Sequence, residues 1–141
     1  MIDNDLIQAA IVARLKANTA LITYLTTFNA QNEIRESQWQ GAEFVYPAVR
    51  VEMGTQIEEG DPPCYSTIPF TVYSYSEKDS SREANQLAGY VNDTLLRQLV
   101  LGSGWNSGII IMDGLIAARR VSERVWQAIN LYRMNVYGGV L

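Results

Sequence analysis

The clearest pattern of hydrophobic and polar positions in this chain lies between residues 66 and 99. Residues 67–75 alternate between the two kinds of side chain, as expected for a half-buried strand. Further apolar positions then recur at helical spacing: Ala84, Leu87, Ala88, Val91 and Leu95. Because residues three and four apart share one side of a helix, this spacing predicts a helix with one buried face. The segment therefore predicts a strand followed by a helix.

Two helix starts carry recognisable signals. Ser80 and Glu83 have the spacing of a capping box, in which each side chain accepts a hydrogen bond from a backbone N–H of the first turn. Another helix is predicted over residues 3–16, with Asp3 as its N-cap. Its buried positions are expected to be Ile7, Ala10, Ile11 and Leu15. Residues 20–25 predict a further short helical turn.

Four strands are expected in the rest of the chain, over residues 44–53, 64–75, 109–118 and 124–137. The second is expected to pair antiparallel with the first. Pro69 favours an edge position or a bulge, because proline has no N–H to donate to a neighbouring strand. Asp113 and Gly114 are expected to interrupt the third strand, and residues 121–123 to form a tight connection to the fourth.

The remaining segments are interpreted as loops. Residues 26–41 are polar, with one short strand expected around Ile34. Residues 54–63 carry a Gly-Asp-Pro turn signal. Residues 102–108 are rich in glycine but lack the Lys-Ser/Thr ending of a phosphate-binding P-loop, so they are interpreted as a flexible connector.

The order of these elements is helix, strand, strand, helix, strand, strand. It predicts a single α+β domain over residues 1–141, with a mainly antiparallel four-stranded sheet and two main helices packed on one face. A sheet covered on one side should show one polar face, yet the fourth strand is apolar on both. Its two sets of apolar residues are Val125, Ile129 and Leu131, and Trp126, Ala128, Tyr132, Met134 and Val136. Either this chain covers both sets, or one of them is a surface for a partner.

The composition offers little catalytic chemistry. The 141 residues include no histidine and one cysteine, Cys64, so the commonest acid–base side chain and any internal disulfide are absent. The net charge of −4 does not favour recognition of nucleic acid, which needs clustered Lys and Arg. We therefore expect no enzyme, no cofactor and no metal site.

Neither membrane insertion nor secretion is expected. The first ten residues are acidic and do not resemble a signal peptide, and no apolar run has the length of a bilayer-spanning helix. The expected product is a soluble protein made inside the cell.

Two charged clusters are candidates for contact with a partner. Glu58, Glu59 and Asp61 form an acidic loop that lacks the ligand spacing of a known calcium loop, and loops of this kind also serve as docking elements. Arg119 and Arg120 are the only adjacent basic pair, for which a solvated edge or an interface salt bridge is expected rather than a DNA contact. Trp126, Tyr132 and Met134 complete the candidate interface, because aromatic residues and methionine are enriched at interfaces.

The order of elements and several local patterns resemble the tail-completion, or tail-terminator, proteins of long-tailed bacteriophages. The matching segments are IQAAIVARLKAN, ALITYL, FVYPAVRVEM and the strand–helix unit FTVYSYS with SREANQLAGYVNDTLLRQL, followed by two closing strands. The resemblance covers residues 6–136 and rests on pattern and order.

The resemblance implies a structural virion protein made in the host cytoplasm and placed at the head-proximal end of the tail. Such proteins form a ring, typically a hexamer, that caps the tail tube, ends its polymerisation and provides the surface that joins the head. The implied partners are further copies of this chain, the tail-tube protein and a head-closure or neck protein.

Two other functions stay open at this stage. One is another neck component, such as a head-closure or adaptor protein, which the sequence does not separate from a terminator. The other is a small α+β ligand-binding module or an enzyme with a histidine-free site. That reading predicts a pocket with convergent polar groups.

Overall fold

The computed structural model describes residues 3–25, 27–28, 31–36, 46–59, 65–78, 80–102 and 104–138. The helices are α1 (Asn4–Lys16), α2 (Thr19–Tyr24) and α3 (Arg82–Leu95). The strands are β1 (Thr27–Phe28), β2 (Gln31–Asn32), β3 (Ile34–Glu36), β4 (Ala48–Met53), β5 (Ile57–Glu59), β6 (Tyr65–Ser76), β7 (Leu101–Gly102), β8 (Trp105–Ser107), β9 (Ile111–Arg120) and β10 (Trp126–Gly138).

The sheet is larger than the sequence predicts. Eight strands form one curled sheet in the order β3-β4-β6-β10-β8-β7, with β5 also pairing with β6 and β9 with β10. The pair β3–β4 is parallel, so the sheet is mixed, and β1 and β2 form a separate two-stranded ribbon. The predicted four-stranded antiparallel sheet with two packed helices is therefore wrong. The sequence signal for short strands such as β3, β5 and β8 is weak, because each has only three residues.

The long strands β6 and β10 form the centre of the sheet, paired antiparallel from Ser66 opposite Val136 to Ser76 opposite Trp126. On its other edge, β6 pairs with β4 and then with β5, and β10 pairs with β9 and then with β8. The predicted antiparallel pairing of the first two strands is confirmed. The acidic strand β5 and the end of β9 thus lie at diagonally opposite corners of the sheet.

The even-numbered residues of β6 and β10 face the helices. We call this side the helix-bearing face. Its buried residues on the two strands are Ser66, Ile68, Phe70, Val72, Ser74, Ser76, Ala128, Asn130, Tyr132, Met134 and Val136. Apolar side chains of all three helices complete the core, including Ile11 of α1, Leu21 of α2 and Leu87 of α3. The odd-numbered residues point the other way, to a side that we call the open face.

The helices differ from the prediction in detail. The five apolar positions predicted for α3 are all buried, as expected. Asp3 caps α1 by accepting a hydrogen bond of 2.9 Å from the N–H of Asp5, also as expected. On α1, Gln8 is buried and donates to the carbonyl of Val51 at 2.8 Å, whereas Ala10 is only half-buried. The buried face of α1 therefore includes the polar residue Gln8, which the prediction left out, and only part of Ala10, which the prediction included.

The predicted capping box does not form. Helix α3 begins at Arg82 and its N-cap is Ser81, whose side chain makes no capping hydrogen bond. Ser80 accepts only a long bond of 3.4 Å from the N–H of Arg82. The carboxylate of Glu83 turns instead to strand β6, where it accepts a hydrogen bond of 2.8 Å from the hydroxyl of Ser76. Glu83 is therefore buried against the sheet and does not cap the helix start.

Two predicted loops contain strands. Part of the segment 54–63 forms β5, and its turn signal at residues 60–63 lies outside the described residues, as does Cys64. Part of the glycine-rich segment 102–108 forms the hairpin of β7 and β8, in which Trp105 is buried. The Gly104 backbone has a φ of +82°, a conformation that glycine adopts without strain. The short strand expected around Ile34 is confirmed as β3.

Pro69 lies neither at an edge nor in a bulge, because β6 is central and its register with β10 is continuous. The N–H and C=O of a strand residue point to the same side, and the carbonyl of Pro69 accepts from Gly54. The missing proline donor therefore falls where β4 has ended and β5 has not begun. Asp113 and Gly114 do not interrupt β9, which runs through both residues, but the register with β10 shifts at Asp113.

Candidate assembly interface

The acidic cluster lies partly on β5. Glu58 is exposed and Glu59 is half-buried. Glu58 lies opposite Ser66 and Glu59 opposite Tyr65, so the two carboxylates leave opposite faces of the sheet. We call Glu58 and Glu59 the acidic corner. Asp61, the third predicted member, lies outside the described residues.

The basic pair lies at the end of β9. Arg119 and Arg120 are both exposed, and they lie opposite Gln127 and Trp126 of β10. They also leave opposite faces, Arg119 the open face and Arg120 the helix-bearing face. The guanidinium of Arg120 donates a hydrogen bond to the carbonyl of Glu123 in the turn between β9 and β10. We call Arg119 and Arg120 the basic corner.

A depression adjoins the basic corner. Its volume is about 550 Å³, and its lining residues are Glu77, Lys78, Arg120, Glu123, Arg124 and Trp126. The structure therefore brings Arg120 and Trp126 together, and the sequence did not predict this proximity. It places both far from Glu58 and Glu59.

The three apolar interface candidates on β10 differ in exposure. Trp126 is half-buried and packs against a small buried cluster of Ala84, Ala88 and Ala128. Tyr132 is 1% exposed and Met134 is 2% exposed, and both belong to the main core. Other residues of this same chain therefore cover the side chains of Tyr132 and Met134. A partner has no access to them while the chain is folded, so they leave the candidate interface.

Tyr132 is held in a polar network under α3. Its hydroxyl accepts a hydrogen bond of 2.8 Å from the Asn130 amide and donates one of 3.1 Å to Asn92. Burial raises the pKa of Tyr132 to about 12, with a further rise from Asp93, while the hydrogen bond from Asn130 lowers it. The same Asn130 amide donates to the carbonyl of Ala88 at 3.0 Å. The network fixes α3 against β10 and has a structural role.

The open face carries tyrosines that were not among the predicted interface residues. The rings of Tyr73 and Tyr75 stack with centroids 6.3 Å apart. The guanidinium of Arg50 lies 4.6 Å from the centroid of the Tyr73 ring, a cation–π contact. Burial and the neighbouring charge of Glu52 raise the pKa of Tyr73. The signal was present in the sequence, because Tyr65, Tyr73 and Tyr75 share the odd positions of one strand.

Strand β9 forms an edge of the sheet. Among the described strands it pairs with β10 alone. Three of its large apolar side chains are exposed: Ile111 by 48%, Leu115 by 55% and Ile116 by 40%. Asp113, at the register shift, forms an ion pair of 3.1 Å with Arg133 of β10. An edge strand with exposed apolar residues offers a surface for another chain.

Two further findings concern the described part of the chain. It has no group of three or more His, Cys, Asp or Glu side chains placed to bind a metal ion. None of its helices combines the length and the apolar character that crossing a membrane requires.

The fold has known counterparts. Over 96% of this chain and 97% of the other, it matches a chain of a solved structure described as the virion of a native gene transfer agent (GTA) particle, with a TM-score of 0.74 and 16% identity. A second solved structure, whose name says nothing about function, matches over the full length of both chains, with a TM-score of 0.68 and 15% identity. The likeness is one of fold. No protein-family model and no curated protein matches the sequence.

Proposed function

We propose that this chain is a structural protein of a virion, and that within the virion it acts as a tail terminator. The observation that carries the proposal is the match over nearly the whole of both chains to a chain of a gene transfer agent virion. That match is independent of the sequence resemblance to phage tail-completion proteins, and the two agree on a virion component.

The surface of the sheet supports a role in assembly. The three helices cover one face, while the open face carries Tyr73 and Tyr75 beside the charges of Arg50 and Glu52. Strand β9 adds an edge with three exposed apolar side chains. A ring subunit needs contacts to its two neighbours and separate surfaces for other partners. Face and edge together offer more than one such surface.

In the proposed role, copies of the chain form a ring, a hexamer by analogy with the family, on the end of a finished tail tube. The ring stops further addition of tube protein and presents its far side to a head-closure or neck protein. The protein then resides in the virion, at the head-proximal end of the tail. The role requires binding surfaces and no catalytic step.

The test is to mix the purified chain with tail tubes assembled from the tube protein of the same virion. Negative-stain images then show whether density caps the tube ends, and length distributions show whether growth stops. We expect one cap at one end of each tube and no growth after capping. Tubes that keep growing and carry no cap contradict the terminator role.

The same experiment separates the terminator from another neck component. A head-closure or adaptor protein binds a tube only after the terminator is in place, or binds the head side alone. Absence of binding to bare tubes, together with binding to tubes capped by another protein, therefore supports a neck role and excludes tube termination.

A further inference from the structure

The two charged corners are related by the geometry of the sheet. The acidic corner lies beside Ser66 of β6. The basic corner lies level with Ser76, on the opposite side of β6 and separated from it by β10. Ten residues of extended chain correspond to about 33 Å, at roughly 3.3 Å per residue. Charges of opposite sign at this separation on diagonally opposite edges cannot neutralise each other within one chain.

The two corners also match face by face. Glu59 and Arg119 leave the open face, whereas Glu58 and Arg120 leave the helix-bearing face. If the β9 edge of one copy meets the β5 edge of another with their open faces on the same side, Arg119 faces Glu59 and Arg120 faces Glu58. One relative orientation thus satisfies both pairs.

The two strands that carry these corners each have one edge open to a neighbour. Within the described ranges, β5 pairs only with β6 and β9 only with β10. Ile57 of β5 is 55% exposed, and Leu115 and Ile116 of β9 are also exposed. Each edge therefore combines exposed apolar side chains with charges, and the charges have opposite signs.

We propose that the β9 edge of one copy docks on the β5 edge of a second copy of this chain, with Arg119 and Arg120 of the first paired to Glu58 and Glu59 of the second. The occupant is a second copy because one chain carries both complementary corners. Contacts between two different surfaces of identical chains repeat head to tail and close into a ring where the rotation allows it. The inference rests on the self-association in the proposed function and names the surfaces that meet.

The two kinds of contact have different roles in this interface. Exposed ion pairs contribute little to affinity, and salt screens them. Their main effect is to select the partner and the orientation, and to speed association. In this register Ile57 of one copy lies opposite Val121 of the other, which is 47% exposed, and burial of this apolar pair helps to hold the copies together. Self-association is therefore expected to weaken with salt without disappearing.

The test uses two double charge reversals in the full chain. The first is Arg119→Glu with Arg120→Glu, and the second is Glu58→Arg with Glu59→Arg. Each makes both corners of a chain alike in sign, so each variant alone should associate at least about tenfold more weakly than the unmodified chain. Sedimentation velocity over a range of concentrations measures this change.

The decisive arm is the equimolar mixture of the two variants. In the mixture, the reversed β9 corner of the first variant meets the reversed β5 corner of the second, and the unreversed β9 corner of the second meets the unreversed β5 corner of the first. Both contacts again join opposite charges, so association should return through alternating copies. Arg14→Glu with Lys16→Glu on α1 is the matched control, because it changes the net charge as the first variant does. The control should associate like the unmodified chain.

Several results overturn the proposal: an unmodified chain that stays monomeric at every concentration, reversals that leave association unchanged, or a mixture that fails to recover it. Circular dichroism of each variant checks that the exposed substitutions leave the fold intact. Tube capping is scored separately. Capping that is insensitive to the reversals supports the terminator role and excludes this interface. Association that is restored by mixing, without any capping of tubes, supports this interface and excludes the terminator role.

Discussion

The N–H of Gly54 donates a hydrogen bond of 2.8 Å to the carbonyl of Pro69, between the end of β4 and the start of β5. A Cβ atom added to Gly54 would lie 2.7 Å from Cγ of Pro69 and 2.8 Å from its carbonyl oxygen. The contact therefore requires a residue without a side chain. It lets two short strands follow one side of β6 in succession.

Gly54→Ala is expected to lower the free energy of unfolding by about 1–3 kcal/mol, because the added methyl group must displace backbone. Urea denaturation measures the change. Gly89→Ala is the control: a Cβ there meets nothing within 4 Å, and Gly89 lies within α3. Alanine favours a helix interior over glycine by about 1 kcal/mol, so this variant should be more stable. A Gly54→Ala variant that is as stable as the unmodified chain would contradict the account of Gly54.

The two residues of the expected capping box should differ in their importance. Ser80→Ala should change stability by no more than about 0.5 kcal/mol, since it removes one long, exposed hydrogen bond. Glu83→Ala should cost about 1–3 kcal/mol, because it leaves the buried hydroxyl of Ser76 without its acceptor and removes the ion pair of 3.3 Å with Lys78. Thermal denaturation ranks the two. Equal losses would favour a capping box after all.

Met134 and Ile116 separate core from surface on neighbouring strands. Met134→Ala should lower the free energy of unfolding by about 2–5 kcal/mol, because it leaves a cavity in the core. Ile116→Ala should leave stability nearly unchanged, since that side chain is 40% exposed, and should weaken self-association. Chemical denaturation and sedimentation velocity read the two effects independently. Weakened association from a folded Met134→Ala variant, with Ile116→Ala inert, would contradict this assignment.

Tyr132 should make stability depend on alkaline pH. Burial raises its pKa to about 12, so the folded chain keeps the phenol proton at pH values where the unfolded chain has lost it. The stabilisation is fully present below the ordinary pKa of about 10 and disappears as the pH rises through about 12. Unfolding free energies of the unmodified chain and of Tyr132→Phe should therefore converge over this range. A constant difference between the two would contradict the shift.

Long elements were predictable and short ones were not. The alternation over β6 and the stripe of α3 contain enough positions to define a period, so both elements were found. Strand β5, with three residues, has no period of its own. Its existence depends on the free edge of β6 after β4 ends, which is a tertiary fact. The same holds for β7 and β8, which pair beside the end of β10.

The candidate interface was predictable only in its charges. Arg119 and Arg120 are adjacent in sequence, and so are Glu58 and Glu59. The sequence does not show that these pairs lie at opposite corners of the sheet, because their positions depend on the order of the strands. Nor does it separate Trp126 from Met134, which share a face of β10. Met134 is covered by the core and Trp126 lies where the cover ends, near the start of the strand.

The pairing of β6 with β10 also constrains how the chain folds. About fifty residues separate the two strands, and a ribosome delivers them one after the other, at roughly 5–20 residues per second. Until β10 emerges, one edge of β6 has no partner, while α3 has no complete sheet to cover. Most of the native architecture must therefore form late, in one cooperative step. Pairing between strands so distant in sequence makes that step slow, and the unpaired edge of β6 is exposed to wrong pairing during the delay.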